Sequence, residues 1–359
     1  MIIGAADRQF SPSALLEDIA AIWPDHLPTP LIGSPELAAI AGVGQLLLKI
    51  EADRPLGNFK SLGGTVAALR AVARAVGAGS VADLLAQRPP ELPTLICASD
   101  GNHGLAVAYA AQLVGGAAII FLPDVVSQRR IERIAAVGGT VRPVTGTYDD
   151  AVHEAIASAG RGDGLLIPDT TQNPDDQVIC DVMAGYEMIV DEIIARLPAC
   201  EREVPSHSFV QAGVGGLAAA IAKRFHELRP GSHKVIVVEP DGAACVSQAL
   251  AAGRVVAISG DLHTNAEMLS CGMASAPALD ILLRHKCGSA VVTDSELDVA
   301  LMTLTQATGL GSTVSGAAGL AGLLHCARSD ELRRRHGLTA QSTVLLCITE
   351  AAAPCAANP

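Results

Sequence analysis

Four short segments carry residue types that can do chemistry. In Arg54-Pro55-Leu56-Gly57-Asn58-Phe59-Lys60-Ser61-Leu62-Gly63-Gly64, one lysine follows a Gly-Asn turn and opens an alanine-rich helical stretch, Thr65 to Val76. A lysine at a helix start opposes the macrodipole. That raises the electrostatic cost of its ammonium form and, with partial burial, makes the amine a candidate nucleophile. The competing reading is a solvated surface lysine, the commonest fate of that side chain. In Ser99-Asp100-Gly101-Asn102-His103-Gly104, small and polar residues follow the apolar strand Leu95 to Ala98 and precede a helix beginning near Leu105. Such a turn is a natural anion site, with backbone N–H groups free to point at the ligand. Helix capping accounts equally well for Asp100 and Asn102.

The third segment, Gln211-Ala212-Gly213-Val214-Gly215-Gly216-Leu217-Ala218, is again a strand, a glycine turn and an alanine helix. Glycines let backbone amides close on a phosphate. Gly213, Gly215 and Ala218 also satisfy the dinucleotide pattern G-x-G-x-x-G/A, and the next strand ends in Glu239, where a ribose-binding acid would sit. A nicotinamide dehydrogenase is therefore a legitimate rival. The fourth segment pairs Ser312-Thr313-Val314-Ser315-Gly316, leading into a small-residue helix, with Leu345-Leu346-Cys347-Ile348-Thr349-Glu350. Hydroxyls there can hydrogen-bond a cofactor ring nitrogen without placing a full charge beside it, although caps explain them almost as well. Zinc-hydrolase, nucleophile-elbow and P-loop motifs are absent.

The elements that must position these residues are legible as alternation. Apolar runs at Leu46–Ile50, Thr94–Ala98, Ala118–Leu122, Thr140–Val144, Gly164–Ile167, Phe209–Ala212, Val235–Val238 and Val344–Ile348 are separated by longer alanine-rich segments. Strands apolar on both faces, alternating with helices, predict an α/β protein with parallel sheets covered by helices. A length of 359 residues suggests two domains, and 3% aromatic residues with 35 glycines favour helix-on-sheet packing over an aromatic-anchored sandwich. The balance of 25 Lys plus Arg against 37 Asp plus Glu, net −12, with no basic stripe, argues against a nucleic-acid partner. Nine scattered cysteines without a C-x-x-C pair read as reduced, mostly buried thiols in a cytoplasmic protein. No secretion signal is expected at Met1 to Phe10 and no membrane partner elsewhere. The nearly uncharged Leu105 to Pro123 is split by Gln112 and Gly115-Gly116 into a buried helix, a turn and a buried strand.

In combination the motifs resemble the fold-type II pyridoxal-phosphate (PLP) enzymes, the tryptophan synthase β-like superfamily. The resemblance runs from Pro28-Thr29-Pro30-Leu31 through Asn58-Phe59-Lys60, Asp100-Gly101-Asn102-His103-Gly104 and Gln211 to Gly216, as far as Val238-Glu239-Pro240-Asp241. Within that family, Tyr148-Asp149-Asp150, Asp169-Thr170, Met183-Ala184-Gly185-Tyr186 and Cys271-Gly272-Met273-Ala274 are most similar to the diaminopropionate ammonia-lyase branch.

The resemblance implies two three-layer α/β domains, a smaller one at 61–165 inserted into a larger one formed by 1–60 and 166–359, with PLP in the cleft between them. It implies Lys60 as the Schiff-base lysine, Phe59 against the ring, and Asn102 on the ring hydroxyl. Gly213, Val214, Gly215, Gly216 and Leu217 would cradle the phosphate, and Thr349 would face the pyridine nitrogen, with Cys347 two residues away on the same strand face. Ser99, Asp100, Gly101 and His103 would surround the substrate. Asp100 and Asp169 would join Lys60 in catalysis, Asp100 taking the α-proton of a D-isomer and Lys60 that of an L-isomer. The implied reaction is α,β-elimination of a β-substituted amino acid, foremost 2,3-diaminopropionate to pyruvate and ammonia, by a homodimer. Dehydration of serine, threonine or hydroxyaspartate and β-replacement use the same cofactor residues and stay open, as does a catalytically silent binding protein. Two features depart from the branch: Ala351-Ala352-Ala353-Pro354 after Glu350, and a loop from Asp169 to Asp176 without an aromatic residue. The cation site of some relatives pairs the Glu-Pro segment with a downstream acid. Here that position is Cys245, so no metal is expected.

Overall fold

The computed structural model describes residues 12–198 and 203–352. Among the described residues ten strands are present in chain order: β1 (Leu31–Gly33), β2 (Gln45–Ile50), β3 (Leu95–Ala98), β4 (Ala118–Pro123), β5 (Gly139–Val144), β6 (Leu165–Leu166), β7 (His207–Gln211), β8 (Lys234–Pro240), β9 (Gly288–Val292) and β10 (Thr343–Ile348). They form two sheets. One has the order β5-β4-β3-β6 and the other β1-β2-β10-β7-β8-β9. Every pairing is parallel except β1 with β2.

The chain divides into two compact units. The first comprises Met1–Pro28, Lys60–Asp169 and Asp175–Tyr186; the second comprises Thr29–Phe59, Thr170–Pro174 and Glu187–Pro359. This differs from the expected division: the segment up to Pro28 and the stretch Asp175–Tyr186 group with the four-stranded sheet, and so do Lys60 and residues 166–169 at the expected boundaries. Buried ion pairs explain the first two additions. Arg70, in the helix Val66–Val76, bonds Asp18 Oδ2 at 2.6 Å and Asp181 Oδ1 at 3.0 Å, and Arg74 bonds Asp181 Oδ2 at 2.7 Å.

The expected helix, turn and strand at Leu105 to Pro123 are the buried helix Asn102–Val114, ended by Gly115, and β4. Among the described residues no single helix is long and apolar enough to cross a membrane. The seven described cysteines are free thiols, five of them buried, while Cys200 and Cys355 lie outside the described residues.

In the second unit the core lies on the six-stranded sheet. Leu46, Leu48, Phe209, Ile236, Val238, Val344 and Leu346 pack with Leu320, Leu323 and Leu324 of the helix Val314–Ala327. That helix reads as small residues because it rests on strand backbone: a Cβ at Gly319 would lie 2.6 Å from the Phe209 carbonyl, and one at Gly322 would strike Val238. Its close seat fixes the carboxyl ends of β7 and β10, where Gln211 and Thr349 sit.

Candidate functional site

In the first unit Lys60 precedes a π-turn, Ser61–Thr65, that runs into the helix Val66–Val76. Gly63 and Gly64 let this turn pack closely. A Cβ at Gly63 would lie 2.6 Å from the Val182 carbonyl, and one at Gly64 would lie 2.8 Å from Ala106 and 3.2 Å from His103 Nδ1. Lys60 remains about a quarter exposed, and its Nζ donates to Asp169 Oδ2 at 2.7 Å. The amine therefore has a counter-ion, which the picture of an isolated lysine at a helix start did not anticipate.

Asp169 is held on its other oxygen by the Tyr148 hydroxyl. Burial raises its carboxyl, but the Lys60 charge and the hydrogen bonds from Lys60 and Tyr148 outweigh this and bring it down to about 2. Asp100 goes the opposite way. Desolvation, reinforced by the neighbouring Asp169 charge and opposed by Lys60 and Arg130, pushes it up to about 7. Two carboxyls with well-separated titrations around one amine are the arrangement expected of an acid–base site. The Tyr148-Asp149-Asp150 motif was visible in the sequence, but nothing local tied Tyr148, at the head of the helix Tyr148–Gly160, to a carboxylate 21 residues onward.

The turn from Ser99 to Gly104 differs from the open anion site expected of it. Ser99 Oγ accepts from the amides of both Gly101 and Gly104, each at 2.8 Å, so those two donors are spent inside the turn. Gly101 has φ +142°, a conformation that side chains avoid, and this lets the chain fold back over the serine. Asn102 is 5% exposed. His103 is fully buried, its Nε2 2.8 Å from the Ile167 carbonyl, and burial lowers its titration. The ring thus packs behind the turn, with its Nε2 engaged by a backbone carbonyl. Ser99, only 1% exposed, builds the turn; Gly101 is buried as well, and Asp100 is the part-exposed residue of the turn.

In the second unit Phe59 N donates to the Thr349 carbonyl at 3.1 Å and Ala351 N to the Gly57 carbonyl at 3.0 Å, so the loop before the lysine is strapped to the end of β10. Thr349 Oγ1 accepts from Gln211 Nε2 at 2.9 Å. The same nitrogen faces the carbonyls of Gly316 and Cys347 at 2.9 and 3.1 Å, which fixes the amide orientation and leaves the Thr349 hydroxyl proton free to donate elsewhere. Cys347 instead lies in the field of Glu51, Lys49 and Arg54, and burial pushes its thiol up. Thr313 caps the helix Val314–Ala327 and donates to Glu350, whose carbonyl accepts from Ser312. The serine and threonine of that segment are therefore caps and braces.

The glycine turn opens the helix Gly216–Leu228. Gly215 takes φ +97°, and the first backbone bond inside the helix runs from Ala219 N to Gly215 O, which leaves the preceding amides without intrahelical acceptors. A Cβ at Gly213 would lie 2.9 Å from Cys271 Sγ. Glu239, the ribose ligand of the dinucleotide reading, is committed: its oxygens accept from Val246 N, Ser247 N and Ser247 Oγ at 2.6–2.7 Å and cap the helix Cys245–Ala252. The nicotinamide reading thus loses its acid.

The family profile described as "Pyridoxal-phosphate dependent enzyme" matches residues 22–350. The chain belongs to this family. Among curated PLP-dependent relatives, it is similar to the diaminopropionate ammonia-lyase of Escherichia coli K12, 29% identical over 342 residues, covering 90% of this chain and 84% of that protein. It is also similar to the human serine dehydratase-like protein, 30% identical over 281 residues, covering 78% and 77%. Solved structures of the Escherichia coli diaminopropionate ammonia lyase in complex with D-serine and with an aminoacrylate-PLP azomethine reaction intermediate superpose with TM-scores of 0.85 and 0.84 at 27% identity. Each covers 95% of this chain, and 90% and 89% of the respective partner.

The residues present fit PLP. The glycine turn at 213–217 opens the helix Gly216–Leu228, whose first amides can receive a dianion. Thr349 offers a neutral donor suited to a pyridine nitrogen, and Lys60 an accessible amine.

Proposed function

We propose that this PLP-dependent enzyme is an ammonia-lyase acting on 2,3-diaminopropionate. The α-proton and β-amino group leave, and one water completes the conversion to pyruvate and ammonia. In this reading Lys60 carries the cofactor, Phe59 backs its ring and Asn102 binds its hydroxyl. Gly213, Val214, Gly215, Gly216 and Leu217 hold its phosphate, and Thr349 meets its ring nitrogen. The bound cofactor supplies an electron sink for the charge left at Cα. By analogy with the family, we take the active form to be a cytoplasmic homodimer.

One observation carries the substrate assignment: Asp169 is a buried carboxylate held ionised down to about pH 2, with Lys60 as its counter-ion. A carboxylate kept ionised at this position attracts a β-ammonium group by charge, which it does not do for a serine hydroxyl. Tyr148 keeps Asp169 oriented throughout. Asp100, at about 7, can accept a proton in its ionised form and return it in its neutral form at working pH. Dehydration of a hydroxy amino acid, or β-replacement, is the second reading. The human relative and the apolar Ala351-Ala352 beside Glu350 favour it.

Pyruvate release from D- and L-diaminopropionate, serine, threonine and hydroxyaspartate separates these readings. Diaminopropionate is expected to exceed serine by at least about tenfold in kcat/KM, and the reverse order overturns the assignment. With the D-isomer, the step that needs Asp100 as base grows with the carboxylate fraction. The expected kcat/KM therefore rises about tenfold per pH unit below 7 and levels above it. Asp100→Asn is expected to remove that limb and cost about 10²- to 10⁴-fold on the D-isomer. An unchanged pH profile in this variant overturns the role of Asp100.

A further inference from the structure

Beside the glycine turn lies a second helix start. Ser275 precedes the helix Ala276–Arg284, and its amide donates to the Val214 carbonyl at 3.0 Å, inside the turn itself. The first turns of that helix press on the cradle from the same side: a Cβ at Gly215 would lie 3.5 Å from both Ala278 Cβ and Leu282 Cδ1. Gln172 Nε2 and Ala276 N add bonds to the Ala274 and Thr171 carbonyls, at 3.3 and 2.9 Å, so Ser275 is braced on both sides.

The side chain of Ser275 is nonetheless unused. The residue is 1% exposed, its Oγ has no hydrogen-bond partner, and it does not cap its own helix. Serine at such a position ordinarily turns its hydroxyl onto an amide of the first turn. A buried hydroxyl left without a partner is costly and rare, so it calls for a ligand. The ligand that fits is an anion with several acceptor oxygens, because the free amides of the helix Gly216–Leu228 and the start of the helix Ala276–Arg284 all favour negative charge.

We propose that the Ser275 hydroxyl donates a hydrogen bond to the phosphate of PLP, completing the cradle that the amides of Gly213 to Leu217 begin. This rests on the assignment of the glycine turn as the phosphate site. Ser275 is a cofactor-binding residue with no part in proton transfer. No sequence signal announces it, because Cys271-Gly272-Met273-Ala274-Ser275 has no recognisable phosphate motif.

The test is equilibrium titration of the apo-enzyme, followed by visible absorbance and tryptophan fluorescence, with PLP and with pyridoxal, which lacks the phosphate. Ser275→Ala is expected to weaken PLP about tenfold and to leave pyridoxal unchanged, since a hydrogen bond to a charged group is lost for one ligand only. Ser275→Thr, which keeps the hydroxyl, is expected to restore the preference. If the alanine variant fails to fold, as judged by its melting curve, Ser275→Cys replaces the hydroxyl by a weak donor of similar size and serves the same comparison. An unchanged ratio of PLP to pyridoxal affinity, or equal loss for both ligands, overturns the proposal and leaves the glycine turn as phosphate site intact. Equal affinity of the unaltered protein for PLP and pyridoxal overturns the parent assignment instead.

Discussion

Lys60→Ala is expected to abolish turnover, with kcat at least about 10⁴-fold lower, because in the proposed reading one amine both anchors the cofactor and serves as the base on the L-isomer. The variant should also lack the visible band near about 410 nm of lysine-bound cofactor. Two features of the site make the loss specific. The side chain is about a quarter exposed, so its removal leaves no large void, and Asp169 keeps its bond from Tyr148. Removing the amine also leaves the buried Asp169 carboxylate without its counter-ion, so some loss of stability accompanies the loss of activity, and rates are compared on folded protein as judged by the melting curve. Added methylamine, replacing the missing amine, should recover part of the rate. A band that survives the substitution, or a rate within tenfold of the parent, would falsify the assignment of this lysine.

The second large effect lies in the loop before the lysine. Arg54 is 3% exposed and bonds Glu51 at 2.8 and 3.0 Å and Glu192 at 2.6 and 2.7 Å; Lys49 Nζ joins the same Glu192 at 2.5 Å, and Thr29 donates to Glu51 at 2.7 Å. Burial alone would disfavour the guanidinium, but the two carboxylates hold it charged and raise its titration. Arg54→Leu leaves two buried carboxylates, Glu192 with Lys49 and Glu51 with the Thr29 hydroxyl but no cation bonded to it. Breaking a buried pair from one side costs about 3–5 kcal/mol. Chemical denaturation should show a loss of that size, and a loss below about 1 kcal/mol would mean that the network contributes little. Arg54→Lys restores charge but not the forked geometry and should recover only part of it. Activity of the folded fraction should fall as well. The guanidinium anchors the run in which Leu56 takes φ +67° and Asn58 Nδ2 bonds the Leu56 carbonyl at 2.9 Å before Phe59 and Lys60.

Much of this was legible in the sequence. Eight of the ten strands stood out as apolar runs because parallel strands covered on both faces carry no polar alternation. The two that did not are the edges of the larger sheet: β1 has three residues, and β9 begins Gly288-Ser289 with only alternate residues buried, so neither presents such a run. Lys60 and the glycine turn at 213 to 217 stood out as candidates by local spacing, but that spacing left a surface lysine and a dinucleotide turn as alternatives, and the resemblance of the combined motifs is what implied their roles. Tyr148, Glu192 and Ser275 did not stand out in this way, because each acquires its role from a partner 21 to 143 residues away, and no window along the chain brings them together. Glu239 shows the opposite failure. Its spacing from the glycines suited a ribose ligand, whereas its oxygens face the start of the helix Cys245–Ala252, a use that spacing alone does not distinguish.

Ser99, by bonding two amides of its own turn, braces the loop that carries Asp100 with hydrogen bonds made inside the turn. A loop that must be ordered by its substrate charges the binding step with lost conformational entropy, on the order of 1–2 kcal/mol for each residue fixed. Here that ordering is done during folding. Affinity at this corner of the enzyme is then set by what Asp100 and its neighbours touch, with no tax for bringing them to rest.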